Sequence, residues 1–302
     1  MPLRSAHWTY AIDPGIRGAW DLARSRREQL RTQLFNVMAS DRAYEEMFGV
    51  GALGIDAWDN YENAGAVSTA DFDQNYKVTF THVEKVLKLH VERKLYDDNQ
   101  FPQIFNMASK IGDSMGLKRE VDAATVFNNA FNDTFAGADA VGLCSTEHPY
   151  GPNKSSSKQS NEGTYALTKE NVATVREAMM AFTDDTGNKV GVIPNALIVP
   201  PGLEDEALVI VGSQLDPNSG NNAINPQSGR FQVYTWHYLT DSNAWFMVDT
   251  SLMKQCLYWF DRVAPYIKYQ GLKDEVLAEW IAYQRYSYGW TDWKWIYGSN
   301  PS

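Results

Sequence analysis

Residues 91–131, "VERKLYDDNQFPQIFNMASKIGDSMGLKREVDAATVFNNAF", hold the longest helical pattern in the chain. Phe101, Ile104, Phe105, Ala108, Ile111 and Met115 share one stripe, and Val121, Ala124, Phe127 and Phe131 continue it after a change of phase. Asp97 and Asp98 precede it, and Pro102 falls in the first turn, where its missing N–H does no harm. The expected helix runs from about Asn99 to Phe135, a rod of roughly 50 Å. Gly112 and Gly116 mark either a kink or a place where another element comes close. One such rod cannot bury its own stripe, so it needs a sheet or a neighbour alongside.

Working outward, residues 76–92 alternate. Tyr76, Val78 and Phe80 share one face, and Leu87, Leu89 and Val91 stand against Lys88, His90 and Glu92, which is strand periodicity. His82 and His90 fall within this alternation and read as surface polar positions. Residues 16–48 read as a helical arm with Leu22, Leu30, Leu34, Val37 and Met38 on its apolar side. Its basic cluster, Arg24, Arg26, Arg27 and Arg31, is either a solvated face or a contact for an acidic partner surface. Between arm and strands, residues 49–75 carry Asp56, Asp59, Glu62, Asp71 and Asp73 without one Lys or Arg. This is expected to be a long extended loop, with Ile55, Trp58, Tyr61 and Val67 available to grip something.

Downstream, Thr168 is the expected N-cap of a helix bearing Val172, Val175, Met179 and Phe182. "GVIPNALIVPPGLEDEALVIVGS" (191–213) reads as a buried strand, a Pro-Pro turn and a short acid-started helix. "FQVYTWHYLTDSNAWFMVD" (231–249) reads as two strands around a turn, and "CLYWFDRVAPYIKYQ" (256–270) as strand and turn. Residues 279–299 hold four of the ten tryptophans in a partial alternation that favours strand.

The totals narrow the function classes. A chain of 302 residues with 44% hydrophobic content can bury a sizeable core. A net charge of -10 argues against a general nucleic-acid or anionic-membrane binder. Two distant cysteines, Cys144 and Cys256, make a disulfide framework unexpected and a reducing compartment the default. No signal-peptide run opens the chain and no apolar run suits a membrane helix, so synthesis in the cytosol is expected.

"GLCSTEHPYG" (142–151) puts a thiol and an imidazole four residues apart. A thiol nucleophile needs a depressed pKa and an oriented base, and a zinc site needs about four N or S ligands. Neither the flanking patterns of cysteine proteases nor metal-ligand spacing accompanies the pair. A turn closed by Pro149 and Gly151, with His148 holding backbone carbonyls, is the simpler expectation. Asp184 and Asp185 likewise read as a turn, and no phosphate-cradling glycine loop or nucleophile elbow is present. No catalytic residue, cofactor or metal is expected.

Five stretches, in order, resemble the major capsid proteins of tailed phages, the Hong Kong 97 fold, and within it the Mu-type major head subunits. They are "VERKLYDD" before the rod; "GLCSTEHPYG", with Leu143, Ser145, His148 and Pro149 in matching places; "IPNALIVPPGLEDEAL"; "NAINPQSGRFQVYTWHYLTDSNAWFMVD"; and "RYSYGWTDWKWIYGS". The resemblance implies an α+β fold. Its parts would be an N-terminal arm (1–48), an extended loop (49–75), a peripheral domain with a spine helix (76–164), an axial domain (165–250) and a return to the peripheral domain (251–302). It implies copies assembled as pentamers and hexamers into an icosahedral shell in the host cytoplasm, then a virion around double-stranded DNA held without sequence-specific contacts. Scaffold and portal proteins, and in some such capsids a decoration protein, are the implied partners; no membrane is involved. The acidic loop (Asp56, Trp58, Asp59, Tyr61, Glu62) would lie over a neighbour and meet Arg24, Arg26, Arg27 or Arg31 of the adjoining subunit. No long charged prodomain precedes the arm, so scaffolding is expected to be a separate protein or already removed. Some such capsids cross-link through a loop lysine; here the first lysine is Lys77, so no such bond is expected. The alternatives are an encapsulin-like shell of the same fold and, from another class, a hydrolase using Cys144.

Overall fold

The computed structural model describes residues 5–26, 30–52, 74–152, 157–215, 224–273 and 276–301. The arm begins as helix α1 (Ser5–Ser25), followed by a short α2 (Leu30–Leu34) and strand β1 (Asn36–Ala39). The buried stripe of α1 is Ile12, Ile16, Trp20 and Ala23, whereas Leu22, expected on the apolar side, is exposed. The arm is therefore not one helix over 16–48: its first helix starts earlier, at Ser5, and runs through Pro14, and its second half is mostly strand.

Strands β2 (Tyr44–Val50) and β3 (Gln74–Thr81) pair antiparallel as the base of a hairpin, from Tyr44↔Thr81 to Val50↔Gln74. Residues 53–73 between them, with Asp56, Trp58, Asp59, Tyr61 and Glu62, lie outside the described residues, as does Arg27. Strand β4 (Val83–Glu92) and a one-turn α3 (Arg93–Asp97) lead into the long helix α4 (Phe101–Asn128). With 28 residues, α4 spans roughly 42 Å, shorter than expected because the chain turns repeatedly after Asn128. A Cβ on Gly112 would collide with the carbonyl oxygen of Trp20, and one on Gly116 would sit 3.1 Å from that of Arg24. The two glycines thus let the α1 backbone rest against α4.

Short strands β5 (His148–Pro149), β6 (Lys158–Gln159) and β7 (Glu162–Gly163) precede helix α5 (Lys169–Met180), which Thr168 caps by accepting from Asn171 N–H. Strand β8 (Ala196–Val199) leads through a Pro201–Leu203 turn of 3-10 helix into α6 (Glu204–Gly212). Then come β9 (Gln232–Thr235), β10 (Trp245–Val248), α7 (Thr250–Cys256), the long β11 (Leu257–Lys273) and β12 (Leu277–Trp290), and finally β13 (Ile296–Ser299).

Two sheets organise these elements. The first, in order β1-β11-β12-β4, lays Leu89, Val91, Ala278, Trp280 and Ala282 against α1 and α4. The second, in order β7-β13-β10-β8-β9, packs with the end of α4, α5 and α6 in the larger core. Two departures from expectation follow. β9 and β10 are not a hairpin, since β8 lies between them, parallel to β9 and antiparallel to β10. The segment after Trp290 does not stay with the first sheet: β13 pairs with β10 in the second, from Trp245↔Ser299 to Val248↔Ile296.

Candidate assembly surfaces

The Cys144–His148 loop is a clasp between the end of α4 and the C-terminal strand. Cys144 N–H donates to Ala130 O, and its thiol is packed beside Gly298 and Phe131. Burial pushes the thiol pKa well up, the opposite of what a nucleophile requires. His148 is fully buried, bonded through Nδ1 to Asp139 Oδ2 at 2.6 Å and stacked on Trp293 with ring centroids 4.3 Å apart. It therefore holds a carboxylate, not the backbone carbonyls expected. Asn161 donates to the carbonyls of Leu143 and Ile296 and accepts from Ser145 N–H, tying the loop to β13. Burial also raises the Cys256 thiol, to about 12. Asp184 closes the expected turn by accepting from Thr186 and Asn188 N–H, while Asp185 accepts from Ala52 N–H at 3.0 Å. Among the described residues, no group of three or more His, Cys, Asp or Glu could hold a metal ion, and no helix is long and apolar enough to cross a membrane.

The arm arginines separate. Arg31 is buried: its backbone N–H donates to Glu120 Oε2 at 3.2 Å, its guanidinium lies 3.7 Å from Glu120 Oε1, and it covers the Trp259 ring at 4.7 Å. It is thus spent inside the subunit and cannot meet a neighbour's loop, because α2 turns it onto α4 instead of outward. Arg24 pairs with Asp21 at 2.7 Å over the Trp20 ring, and Arg26 is exposed. Beside Arg31, Arg119 makes a two-pronged pair with Asp261 at 2.5 and 2.7 Å, and Tyr286 O–H donates to Asp122 at 2.7 Å. These links join arm, long helix and both long strands. Lys77 sits on β3 and pairs with Glu46 at 2.5 Å.

His82, expected on the surface, is buried where the hairpin joins the first sheet. Its Nε2 faces Ser40 Oγ at 3.1 Å and its Nδ1 faces Ser287 Oγ at 2.9 Å. Sequence reasoning missed it because strand alternation alone cannot tell that Ser287 and Ser40 close over that position.

Large apolar side chains remain uncovered in the subunit. Val83, Val86 and Leu87 on β4 are about half exposed, as are Tyr44 and Phe48 on the hairpin and Leu208 and Val209 on α6.

An arm laid along a spine helix, a hairpin rising from a long-stranded sheet and a second buried sheet define the class: a shell subunit of the Hong Kong 97 fold. A family model described as phage capsid protein matches residues 77–299. The chain belongs to the phage capsid protein family and is a shell-forming capsid protein. Among solved structures it is similar to a chain of Microbacterium phage Oxtober96 (TM-score 0.55, 9% identity, 91% of this chain and 92% of that one). It is also similar to the bacteriophage JBD30 capsid (TM-score 0.56, 16% identity, 72% and 93%) and to a virus-like particle from Pyrococcus furiosus (TM-score 0.53, 10% identity, 95% and 98%). At these identities the likeness concerns the fold. No curated protein matches.

Proposed function

We propose that this chain is the major head subunit of a tailed double-stranded DNA phage, similar in kind to the Mu-type head proteins, and that its role is structural with no catalytic step. Support comes from the family match across residues 77–299 together with separate apolar patches left bare on a subunit whose cores are otherwise complete. In this reading the first sheet with α4 forms the peripheral domain. The second sheet forms the axial domain, where α6, with Leu208 and Val209 bare, faces its copies around five-fold and six-fold positions. Residues 53–73 would lie over a neighbour, with Arg24, Arg26 or Arg27 of the adjoining arm as their counter-charges. Scaffold and portal proteins would act in assembly within the host cytoplasm, and the virion is the final location. With no lysine before Lys77, shells are held without loop isopeptide bonds; reduced, boiled particles should run as single chains on a denaturing gel.

Electron microscopy of the purified chain tests the reading: closed shells are expected, and a permanent monomer at every concentration and salt would overturn it. A second reading, a compartment that houses protein, draws on the near end-to-end fold likeness to the Pyrococcus furiosus particle. Shell contents decide between them, DNA for the first and protein for the second.

A further inference from the structure

We infer that the pocket between the hairpin base and the Cys144–His148 loop binds a small organic cation, a free alkyl diamine in its protonated form, with the Asp139 carboxylate as counter-ion. The inference goes beyond the shell reading and does not depend on it. The pocket encloses about 290 Å³ between Phe48 and Tyr76 of the hairpin, Asp139 and Tyr150 on either side of the loop, and Trp290 and Trp293 at and after the end of β12. Asp139 is the charge that these walls leave over. Its side chain is only 9% exposed, Oδ2 is bonded to His148 Nδ1 at 2.6 Å, and Oδ1 has no hydrogen bond among the described residues. His148 Nε2 is buried without a partner there, so the ring gives Asp139 one N–H and nothing calls for a second proton. A hydrogen bond from a neutral imidazole does not cancel a carboxylate's charge. Lys294, the one lysine or arginine among the described residues that line the pocket, is spent on Asp292: its Nζ lies 3.1 Å from both oxygens and 5.1 Å from the centre of the Trp293 ring.

The local chain is shaped around that carboxylate. Ala140, the next residue, takes φ 65°, a left-handed conformation that alanine rarely adopts, and such strain gathers where a structure holds a functional group in place. Gly137 lacks the Cβ that would stand 2.8 Å from Trp290 Nε1 and 2.9 Å from Asp139 Oδ1, so indole and carboxylate close in on one point. Burial, then the charge of Asp139, raises the Tyr76 phenol above its usual 10, which puts that ring within the carboxylate's field. A mostly buried carboxylate among aromatic faces suits an organic cation, whose ammonium can pair with the oxygen while its methylenes lie on the rings. A metal ion needs several ligands at once, and among the described residues no group of three or more His, Cys, Asp or Glu could supply them. A diamine buries one ammonium and leaves the other in water.

A saturation-transfer NMR titration of the purified chain with 1,4-diaminobutane tests this, with 1,4-butanediol as the uncharged match in shape. Wild type should half-saturate with the diamine at about a millimolar or below and show no saturable signal with the diol. Asp139→Asn keeps an oxygen for His148 Nδ1–H but removes the charge, and should weaken diamine binding about tenfold or more. Gln255→Lys sets an ammonium on the exposed rim of the same pocket, away from the His148 bond, and should weaken binding severalfold. It decides the matter alone if Asp139→Asn does not fold. No saturable binding by wild type would overturn the inference, as would a diol that binds as tightly as the diamine. Unchanged affinity in either folded variant would assign the amine to the acidic surface at large and overturn it as well. The unassembled chain is what is titrated, so a chain that forms no shell fails the capsid reading without touching this test. A chain that forms shells but takes up no diamine fails this inference alone.

Discussion

The two sheets bury their strands very differently. Every residue of β8, β10 and β13 is buried, whereas seven of the ten residues of β4 are exposed. The second sheet is closed by its own chain: Phe127 from α4 meets Trp236, Phe246 and Trp295 edge-on, and α5 and α6 cover what remains. The first sheet has helices on one face and, among the described residues, the hairpin base over part of the other. Antiparallel strands such as β11, β12 and β4 tolerate one wet face, but that face is then polar. Here it keeps Val86, Tyr266 and Tyr283. One region is closed within the subunit, and the other leaves apolar side chains at its surface.

Substitution should separate the two regions most sharply. Trp295 is fully buried and donates Nε1–H to Asp292 O at 2.7 Å. Trp295→Ala should cost about 3–5 kcal/mol in denaturant unfolding and yield little soluble subunit. Val86→Asp on the open face should leave subunit unfolding within about 0.5 kcal/mol of wild type while abolishing particles in the microscope. Equal loss of stability from both would erase the contrast.

The buried charges beneath the arm give the next effect. Burial lowers the Arg31 pKa from 12.5 to about 10 despite Glu120 and Asp261, with Arg119 pushing the same way. Burial likewise raises Glu120 above its usual 4.5, outweighing the Arg31 contacts. Since the folded Arg31 pKa lies below the unfolded one, its titration adds stability as pH rises from about 10 to 12.5. The raised Glu120 pKa removes stability as pH rises above 4.5. Both signs say that burying these ionised groups costs more than their attraction returns. Glu120→Ala, which takes the Glu120 carboxylate away from buried Arg31, should destabilise by about 3–5 kcal/mol, whereas Arg31→Met/Glu120→Leu should be neutral or stabilising by up to about 1–4 kcal/mol. Denaturant melts of the three proteins check the order. A double variant as weak as the single would mean that the pair itself, not packing on Trp259, holds α2.

How much of this was legible beforehand depended on whether the cause was local. The long helix, the Thr168 cap, the Pro-Pro turn and the buried β8 came from short-range patterns, and the five matched stretches named the fold. The arm misled because Pro14 and Gly15 interrupt the reading of a helix whose Ile12, Ile16 and Trp20 nevertheless form a regular stripe. Arg31 looked like its three basic neighbours, and only the return of β11, more than two hundred residues later, puts Trp259 beneath it. β13 was legible as a strand but not as a member of the second sheet, because register between distant strands leaves no local trace.

At the crossing of arm and spine, Gly112→Ala should cost about 1–3 kcal/mol. The new Cβ meets the Trp20 carbonyl, a backbone atom that cannot rotate aside. Alanine's better helix propensity returns about 1 kcal/mol, so the net loss should be small. It should show as faster proteolytic release of the arm, with the second sheet unaffected. Gly116→Ala, whose Cβ would sit at 3.1 Å, should do less.

The smallest expected effect lies where the hairpin meets the first sheet. Ser40 O–H is given to Glu45 at 2.6 Å, so Ser40 Oγ accepts from His82 Nε2–H, and Nδ1 is left to accept from Ser287 O–H. That chain of bonds is the one a neutral ring carrying its proton on Nε2 makes. Burial, then Arg285, lower the His82 pKa below 6.5; Glu45 opposes them, and Arg262 adds a smaller push downward. A histidine held below its unfolded value stabilises the fold above that value, and the contribution is lost as pH falls through the folded pKa. Acidification from neutrality to about pH 5 should therefore lower the melting temperature of the wild-type subunit, by no more than about 2–4 °C for each kcal/mol lost. His82→Asn should flatten this dependence while leaving the second sheet's core untouched. His82 lies within reach of the charges of Arg262 and Arg285, so protonating it adds a third positive charge there. A wild-type melting curve that is flat from neutrality to pH 5, or one whose slope survives in His82→Asn, would remove His82 from the account and leave the contrast between the sheets to packing alone.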